Sequence, residues 1–187
     1  MFKNPLKNTR LAALGATVAG IALAVTGVIE VTDTQSAANA TVGIEHVSLG
    51  AFSLALLALA LPITYVGRLA GARRAATIAI VGQVLLALLC VTSNINGKDL
   101  GIFPAVAAPT NLMLFGGWAA IAIALRRRAG LSRALAVSLP ASWIAALVLA
   151  AVGGGLVAGA YWMAVGYLMA SDSLPIQSPS APEPARA

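Results

Sequence analysis

Histidine, cysteine and charged residues are scarce in this 187-residue sequence, which contains one histidine, one cysteine and 10% charged residues. The single cysteine, Cys90, excludes a disulfide within the chain and any metal site built from several cysteines. The single histidine, His46, excludes a histidine-rich zinc site and a haem held by two histidines. The P-loop, His-Glu-x-x-His and Gly-x-Ser-x-Gly motifs are also absent. The sequence therefore indicates no cofactor and no common catalytic centre.

Apolar residues are abundant instead, at 59% of the chain, and the mean hydropathy is +0.89. Such a composition is unusual for a soluble domain, so we predict an all-α, polytopic transmembrane helical bundle over residues 11–170. Spans of about 20 residues fit the hydrocarbon core, and five are predicted, at about 11–31, 47–66, 75–92, 102–125 and 140–169. A basic segment, 1–10, precedes the bundle. A tail rich in proline and serine, 171–187, follows it and is expected to be disordered.

The two signs of charge alternate between the polar segments. Basic residues lie at the N-terminus and in the loops near 67–74 and 126–133, with Lys98 and Arg186 as exceptions. The acidic residues lie in the other polar segments: Glu30, Asp33, Glu45, Asp99, Asp172 and Glu183. Because short loops rich in Lys and Arg stay in the cytoplasm, we predict a cytoplasmic N-terminus and an external C-terminus. The basic residues then face anionic headgroups, so the predicted partners are membrane lipids and not nucleic acid.

Two segments leave alternatives open. Residues 131–170 are too long for one straight crossing at about 1.5 Å per residue. We predict that Pro140 begins a tilted fifth span and that Gly153-Gly154-Gly155 interrupts it. A hairpin of two shorter helices is the alternative, and it would place the C-terminus inside. Near the first span, Ala38-Asn39-Ala40 has the form of a signal-peptidase site, but the span is longer than a signal peptide's apolar region, so we expect it to be retained.

Five polar residues next to the spans form a candidate external rim: Glu30, Glu45, His46, Asn94 and Asp99. If the bundle brings them together, Glu30 or Glu45 would orient His46 as a general base, or the group would bind a cation. Charges at a membrane interface need no functional explanation, however. Glu45 would also favour the positive N-terminal end of its own helix. We expect the structural role.

Two amides, Gln83 and Asn111, are predicted to lie near mid-membrane in the third and fourth spans. Both are at similar distances in sequence from the turn near 97–98, so an antiparallel pair of helices places them at similar height. They are candidates for an interhelical hydrogen bond, which averages about 0.6 kcal/mol in membrane proteins. The alternative is a path for a polar solute, helped by two prolines that are expected to kink or partly unwind residues 103–109.

Small residues recur at a spacing of four, as Gly155 and Gly159 in the fifth span and as Gly116 and Ala120 in the fourth. Such spacing allows close approach of two helices. Packing within the chain is the default interpretation, and contact with another subunit is the alternative. The aromatic residues of the last apolar stretch are expected in belts at the two membrane interfaces: Trp143, Tyr161, Trp162 and Tyr167.

The chain resembles small, alanine-rich polytopic membrane proteins of bacteria in composition and layout, without a diagnostic motif. We therefore predict a bacterial plasma-membrane protein and transfer no residue roles. The leading hypothesis is a non-enzymatic accessory or scaffold protein that packs against lipid, a partner membrane protein or a second copy of itself. The alternatives are a small transport or lipid- or solute-binding module that uses Gln83 and Asn111, and an outward-facing membrane enzyme that uses His46.

Overall fold

Six α-helices make up the part of the chain that the computed structural model describes, which is residues 5–32, 41, 43–129 and 133–171. The helices are α1 (Pro5–Thr32), α2 (Glu45–Leu69), α3 (Arg73–Asn96), α4 (Phe103–Ala129), α5 (Arg133–Val148) and α6 (Gly154–Ala170), with a 3₁₀ turn at Ala150–Val152. These described residues contain no β-strand. Helices α1 to α4 include segments that are long and apolar enough to cross a membrane, and α5 and α6 include shorter apolar segments. The helices suggest an integral membrane protein.

Local sequence signals explain several helix ends. Helix α2 begins at Glu45, whose carboxylate suits the positive N-terminal end of a helix. Helix α3 ends where Gly97 adopts φ +65°, a left-handed conformation that glycine tolerates. Helix α4 has Pro104 in its first turn and continues through Pro109. The expected partial unwinding of 103–109 is therefore wrong, because α4 is helical throughout this segment.

The helices form a closed ring in which each packs on its neighbours in the chain and α6 packs along α1. The buried side chains that fill the ring are mostly alanine and large apolar residues, including Leu23, Leu56, Ile63, Leu114 and Ile121. In lipid, close van der Waals packing replaces much of the hydrophobic driving force that holds soluble bundles together. The alanine-rich faces allow this packing because their helices approach closely.

Residues 140–169 form two antiparallel helices, α5 and α6, and not the single tilted span that was predicted. Pro140 lies inside α5, and the chain reverses at the 3₁₀ turn and Gly153, whose φ of +89° is accessible to glycine without a steric penalty. A hydrogen bond from Ser138 to the Tyr161 hydroxyl joins the two helices. Their 16 and 17 residues give lengths of about 25 Å each, near the lower limit for crossing the hydrocarbon core. The hairpin alternative is the one that the structure adopts.

The hairpin returns α6 to the end of the bundle at which α1 begins. Gly166 lies against Ala13 and Thr17, and Met169 is buried against Ala12 and Ala13. The described ends of the chain therefore lie at the same end of the bundle. Of the predicted disordered tail, 171–187, residues 172–187 lie outside the described residues.

The two ends of the bundle differ in charge. We call the end that holds the start of α1 and the turns after α2 and α4 the basic end, and its described basic side chains include Arg10, Arg68, Arg73, Arg74, Arg126 and Arg127. The other end, which holds Glu30, Glu45, Lys98 and Asp99, we call the acidic end. The described arginines thus lie at one end of the bundle, in keeping with the segregation of charge in the sequence.

Candidate polar sites and the aromatic interior

The polar rim at the acidic end contains one well-formed pair, His46 on α2 and Asn94 on α3. The ring Nδ1 of His46 lies 2.6 Å from the Asn94 side-chain oxygen, and the Asn94 amide nitrogen donates to the His46 backbone carbonyl at 3.2 Å. Both interactions are exposed to solvent. They join the start of α2 to the end of α3, which gives this pair a direct role in fixing the two helix ends.

Glu30 takes part in a different contact, with the first turn of α6. The backbone N–H of Gly155 donates to the Glu30 carboxylate, a favourable arrangement because the first N–H groups of a helix have no partner within the helix. Its Oε2 atom is buried without a hydrogen-bond partner among the described residues. Glu30 therefore holds α1 to α6, whereas His46 joins α2 to α3.

The remaining carboxylates of the rim differ in exposure and direction. Glu45 is half-buried and Asp99 is exposed, and adjacent residues such as Glu45 and His46 point about 100° apart on a helix. Among the described residues, no group of three His, Cys, Asp or Glu side chains is placed to hold a metal ion. The closest partner that the rim gives His46 is an amide, which orients the ring without supplying a negative charge.

Gln83 and Asn111, the two amides predicted near mid-membrane, lie on helices that pack together, but they do not bond to each other. The Asn111 amide nitrogen donates to the Ala107 carbonyl at 2.8 Å, and its oxygen accepts the indole N–H of Trp143 at 3.1 Å. Gln83 is fully buried, and both of its amide atoms lack a hydrogen-bond partner among the described residues. Asn111 therefore links α4 to α5, whereas the Gln83 side chain makes no hydrogen bond with the described residues.

Aromatic side chains from four helices fill the ring interior. Trp118 of α4 packs edge to face on Trp143 of α5 and on Trp162 of α6, with centroid separations of 5.8 and 5.4 Å. Phe52 of α2 stacks on Trp143 at 5.9 Å, and Tyr161 packs on Trp162 at 5.4 Å. We call these five residues the aromatic cluster. Edge-to-face and offset pairs of this kind each stabilise a fold by about 0.5–1.5 kcal/mol beyond their buried area.

The aromatic cluster overturns the expectation of aromatic belts for two residues. Trp143 and Trp162 are 2% and 1% exposed, so they are interior residues and not interfacial ones. Tyr167, by contrast, is largely exposed. Sequence reasoning missed the cluster because it assumed one crossing for 140–169, which would place these two tryptophans near opposite membrane surfaces.

The first small-residue stripe, on α6, packs within the chain against α1. A Cβ on Gly159 would lie 2.6 Å from the Gly20 carbonyl oxygen and 2.8 Å from the Ala24 nitrogen, and a Cβ on Gly155 would lie 2.6 Å from the Leu23 carbonyl oxygen. These atoms belong to the α1 backbone, so a side chain could be accommodated only if the helices separated. The stripe is therefore a close helix–helix contact inside the ring.

The second stripe, Gly116 and Ala120 on α4, faces outward. Both residues are exposed, and a Cβ on Gly116 would meet no atom within 4 Å. The neighbouring Gly117 makes the contact with α3 instead, since its Cβ would lie 2.7 Å from the Ala79 Cβ and 2.8 Å from the Ala75 carbonyl oxygen. The two small residues of this stripe thus remain uncovered on the outer surface of the ring.

Comparisons with protein-family models, curated proteins and solved structures give no significant match to this chain. Its function must therefore be argued from the arrangement of its own residues.

Proposed function

We propose that this chain is a non-enzymatic accessory or scaffold protein of the bacterial plasma membrane, and that it binds a partner membrane protein through the outer face of α4. The observation that carries the proposal is the open stripe of Gly116 and Ala120. Leu112 and Ile123 flank the stripe on the same face and are 73% and 54% exposed. Small residues between two larger apolar ones leave a shallow notch in which another transmembrane helix would pack closely.

The filled interior supports a role at the outer surface. Trp118, Trp143 and Trp162 occupy the centre of the ring, and Asn111 has its amide nitrogen and oxygen engaged within the protein. A path for a polar solute would need the aromatic cluster to move and these hydrogen bonds to break. The rim pairs His46 with the side-chain amide of Asn94, which supports a structural role for this residue.

We also propose that the bundle crosses the membrane six times, with the basic end and both chain termini in the cytoplasm. The hairpin of α5 and α6 supports the sixth crossing, because α6 ends beside the start of α1. The arginines at the basic end support the orientation, because short loops rich in Lys and Arg remain cytoplasmic. Lys98 is the described basic residue at the acidic end.

Native mass spectrometry of the protein, extracted from its own membrane in mild detergent, tests the proposed partner. We expect a stoichiometric second protein that is lost in Gly116→Leu and retained in Ala164→Leu. Ala164 is an exposed small residue on α6, so its replacement adds a similar apolar side chain at a different place. A chain without a protein partner, or a partner that Gly116→Leu retains, would overturn the proposal, and a homo-oligomer lost in Gly116→Leu would assign the α4 face to self-association.

A lipid-binding role is the second candidate, and one observation favours it. An outward groove of about 390 Å³ lies between α1 and α6, lined by Ile21, Ala24, Val25, Val28, Ile29 and Met163. Its wall is almost entirely apolar, as binding of an acyl chain requires. The same spectra distinguish this role, since a discrete lipid would remain bound to the isolated chain and Val25→Trp, at an exposed position of the groove wall, would displace it.

A further inference from the structure

The connection between α5 and α6 differs in composition from the other turns of the bundle. Residues 144–160 contain no charged or polar side chain, whereas the turns after α2, α3 and α4 all contain or adjoin charged residues. We call residues 147–153 the hairpin tip. Four of its large apolar side chains are exposed, Val148 and Val152 by more than 70%: Leu147, Val148, Leu149 and Val152. Apolar surface of this kind is unfavourable in water.

The backbone of the hairpin tip makes its hydrogen bonds within the protein. The N–H groups of Val152 and Gly153 donate to the carbonyls three residues earlier, at 2.9 and 3.3 Å. The N–H of Gly154 donates across the turn to the Leu149 carbonyl at 2.6 Å. Non-helical backbone is costly in hydrocarbon unless its polar groups are paired internally, and the 3₁₀ turn supplies these pairs.

The start of α6 is paired as well. The first N–H groups of a helix have no acceptor in the preceding turn of the same helix. Here the N–H of Leu156 donates to the Gly153 carbonyl at 2.9 Å, and the N–H of Gly155 donates to the Glu30 carboxylate on α1. Glu30 thus supplies a polar partner that the hairpin, with its apolar side chains, lacks. The tip combines an apolar exterior with a paired backbone.

The contact with α1 fixes the height of the hairpin tip. A Cβ on Gly153 would lie 2.7 Å from a methyl carbon of Val31. Val31 follows Arg10, a residue of the basic end, by 21 positions, which corresponds to about 30 Å along a helix. The hydrocarbon core of a bilayer is also about 30 Å thick. With Arg10 among the headgroups of one leaflet, the tip therefore lies at the hydrocarbon edge of the other leaflet.

We propose that the hairpin tip is inserted among the lipid acyl chains at the acidic end, so that no aqueous loop joins α5 to α6. Val148 and Val152 would then contact the acyl chains directly. Large apolar side chains suit fluid acyl chains, whereas close packing of another transmembrane helix relies on small residues at the contact. The inference rests on the proposed crossing of the membrane by α5 and α6, and it adds where their connection lies.

Spin labels on single cysteines test the depth of the tip in purified protein reconstituted in lipid nanodiscs. Labels are attached at Val148→Cys or Val152→Cys in a Cys90→Ser background, since the native cysteine is buried. Molecular oxygen concentrates in hydrocarbon and a nickel chelate stays in water, so the ratio of the collision rates of the label with these two reagents reports its surroundings. Leu85→Cys, exposed midway along α3, is the lipid control, and Lys98→Cys, in the turn after α3, is the water control.

We expect the oxygen-to-nickel ratio at both tip positions to be several-fold above that at Lys98 and close to that at Leu85. A tip in water would give the Lys98 ratio, and a tip covered by another protein would give low collision rates with both reagents. Either result would overturn the proposal. Nanodiscs leave both sides of the bilayer open to the reagents, so the ratio measures depth and not orientation. A failure here would leave the proposed orientation intact, which reporters fused to the C-terminus test separately.

Discussion

Gly155 on α6 lies directly against Gly27 on α1, near the acidic end of the bundle. A Cβ on Gly155 would be 2.7 Å from the Gly27 nitrogen, and a Cβ on Gly27 would be 2.7 Å from the Gly155 carbonyl carbon. Each absent side chain thus makes room for the backbone of the other helix. The same interface continues at Gly159 and Gly166, so α6 is seated on α1 through glycine along most of its length.

Replacing Gly155 with alanine should destabilise the bundle. The added methyl group meets the α1 backbone, which cannot move without separating the helices, and overpacking of this kind typically costs about 1–3 kcal/mol. Thermal unfolding in detergent measures the loss. Gly116→Ala is the matched control, since its added Cβ meets nothing within 4 Å and alanine favours a helix over glycine by about 1 kcal/mol. Equal stability of the two variants would contradict the close contact between α1 and α6.

The Asn111–Trp143 hydrogen bond should contribute a small, measurable coupling between α4 and α5. Interhelical hydrogen bonds in membrane proteins average about 0.6 kcal/mol, with a maximum near 1.7. A double-mutant cycle with Asn111→Leu and Trp143→Phe isolates this coupling from the packing that each substitution changes. Additive losses of stability would mean that the bond contributes nothing. A solute path would instead predict that Asn111→Leu blocks function while the folded protein remains abundant.

The sequence predicts the positions of Gln83 and Asn111 along the bundle axis better than it predicts their hydrogen-bond partners. Apolar runs and the turn near 97–98 indicate that Gln83 and Asn111 lie on antiparallel helices, and the contact of Gly82 with Thr110 agrees with that register. The partner of each amide depends on how far each helix is rotated about its axis. Helices that are apolar on all sides carry little information about rotation, so the bond from Trp143 to Asn111 could not be predicted.

The pattern of charged residues could not predict whether the chain forms the α5–α6 hairpin or a single span. Between Arg133 and Arg186 the sequence contains no Lys or Arg, so this long stretch offers nothing to the rule that orients membrane proteins. Asp172 and Glu183 favoured an external C-terminus, but acidic residues contribute little to orientation. The glycine run at 153–155 correctly marked the interruption. Whether the chain continued or reversed there depended on packing against α1, which the sequence pattern does not reveal.

The proposed six crossings predict a cytoplasmic C-terminus. Green fluorescent protein fused after Ala187 should fluoresce, and alkaline phosphatase fused at the same place should be inactive, because each reporter works on only one side of the plasma membrane. A five-span chain with an external C-terminus predicts the reverse pattern. The two reporters can be compared with the same fusions at Lys98, in the turn between α3 and α4, where phosphatase activity is expected. Active phosphatase at both positions would exclude the proposed topology.

The His46–Asn94 pair predicts which ring nitrogen of His46 carries the proton. Asn94 donates its amide nitrogen to the His46 carbonyl, which turns its side-chain oxygen toward the ring Nδ1, 2.6 Å away. That oxygen only accepts hydrogen bonds, so the neutral ring must be protonated on Nδ1. Nitrogen chemical shifts of labelled histidine, the single one in the chain, measure the tautomer directly, and Asn94→Ala should release the preference.

Because hydrogen bonds contribute about 0.5–1.5 kcal/mol, His46→Ala should reduce stability only slightly. An enzyme that uses His46 would instead lose its activity in the His46→Ala variant while its abundance stayed unchanged. In the unmodified protein, a His46 ring protonated on Nε2 would contradict the pairing with Asn94.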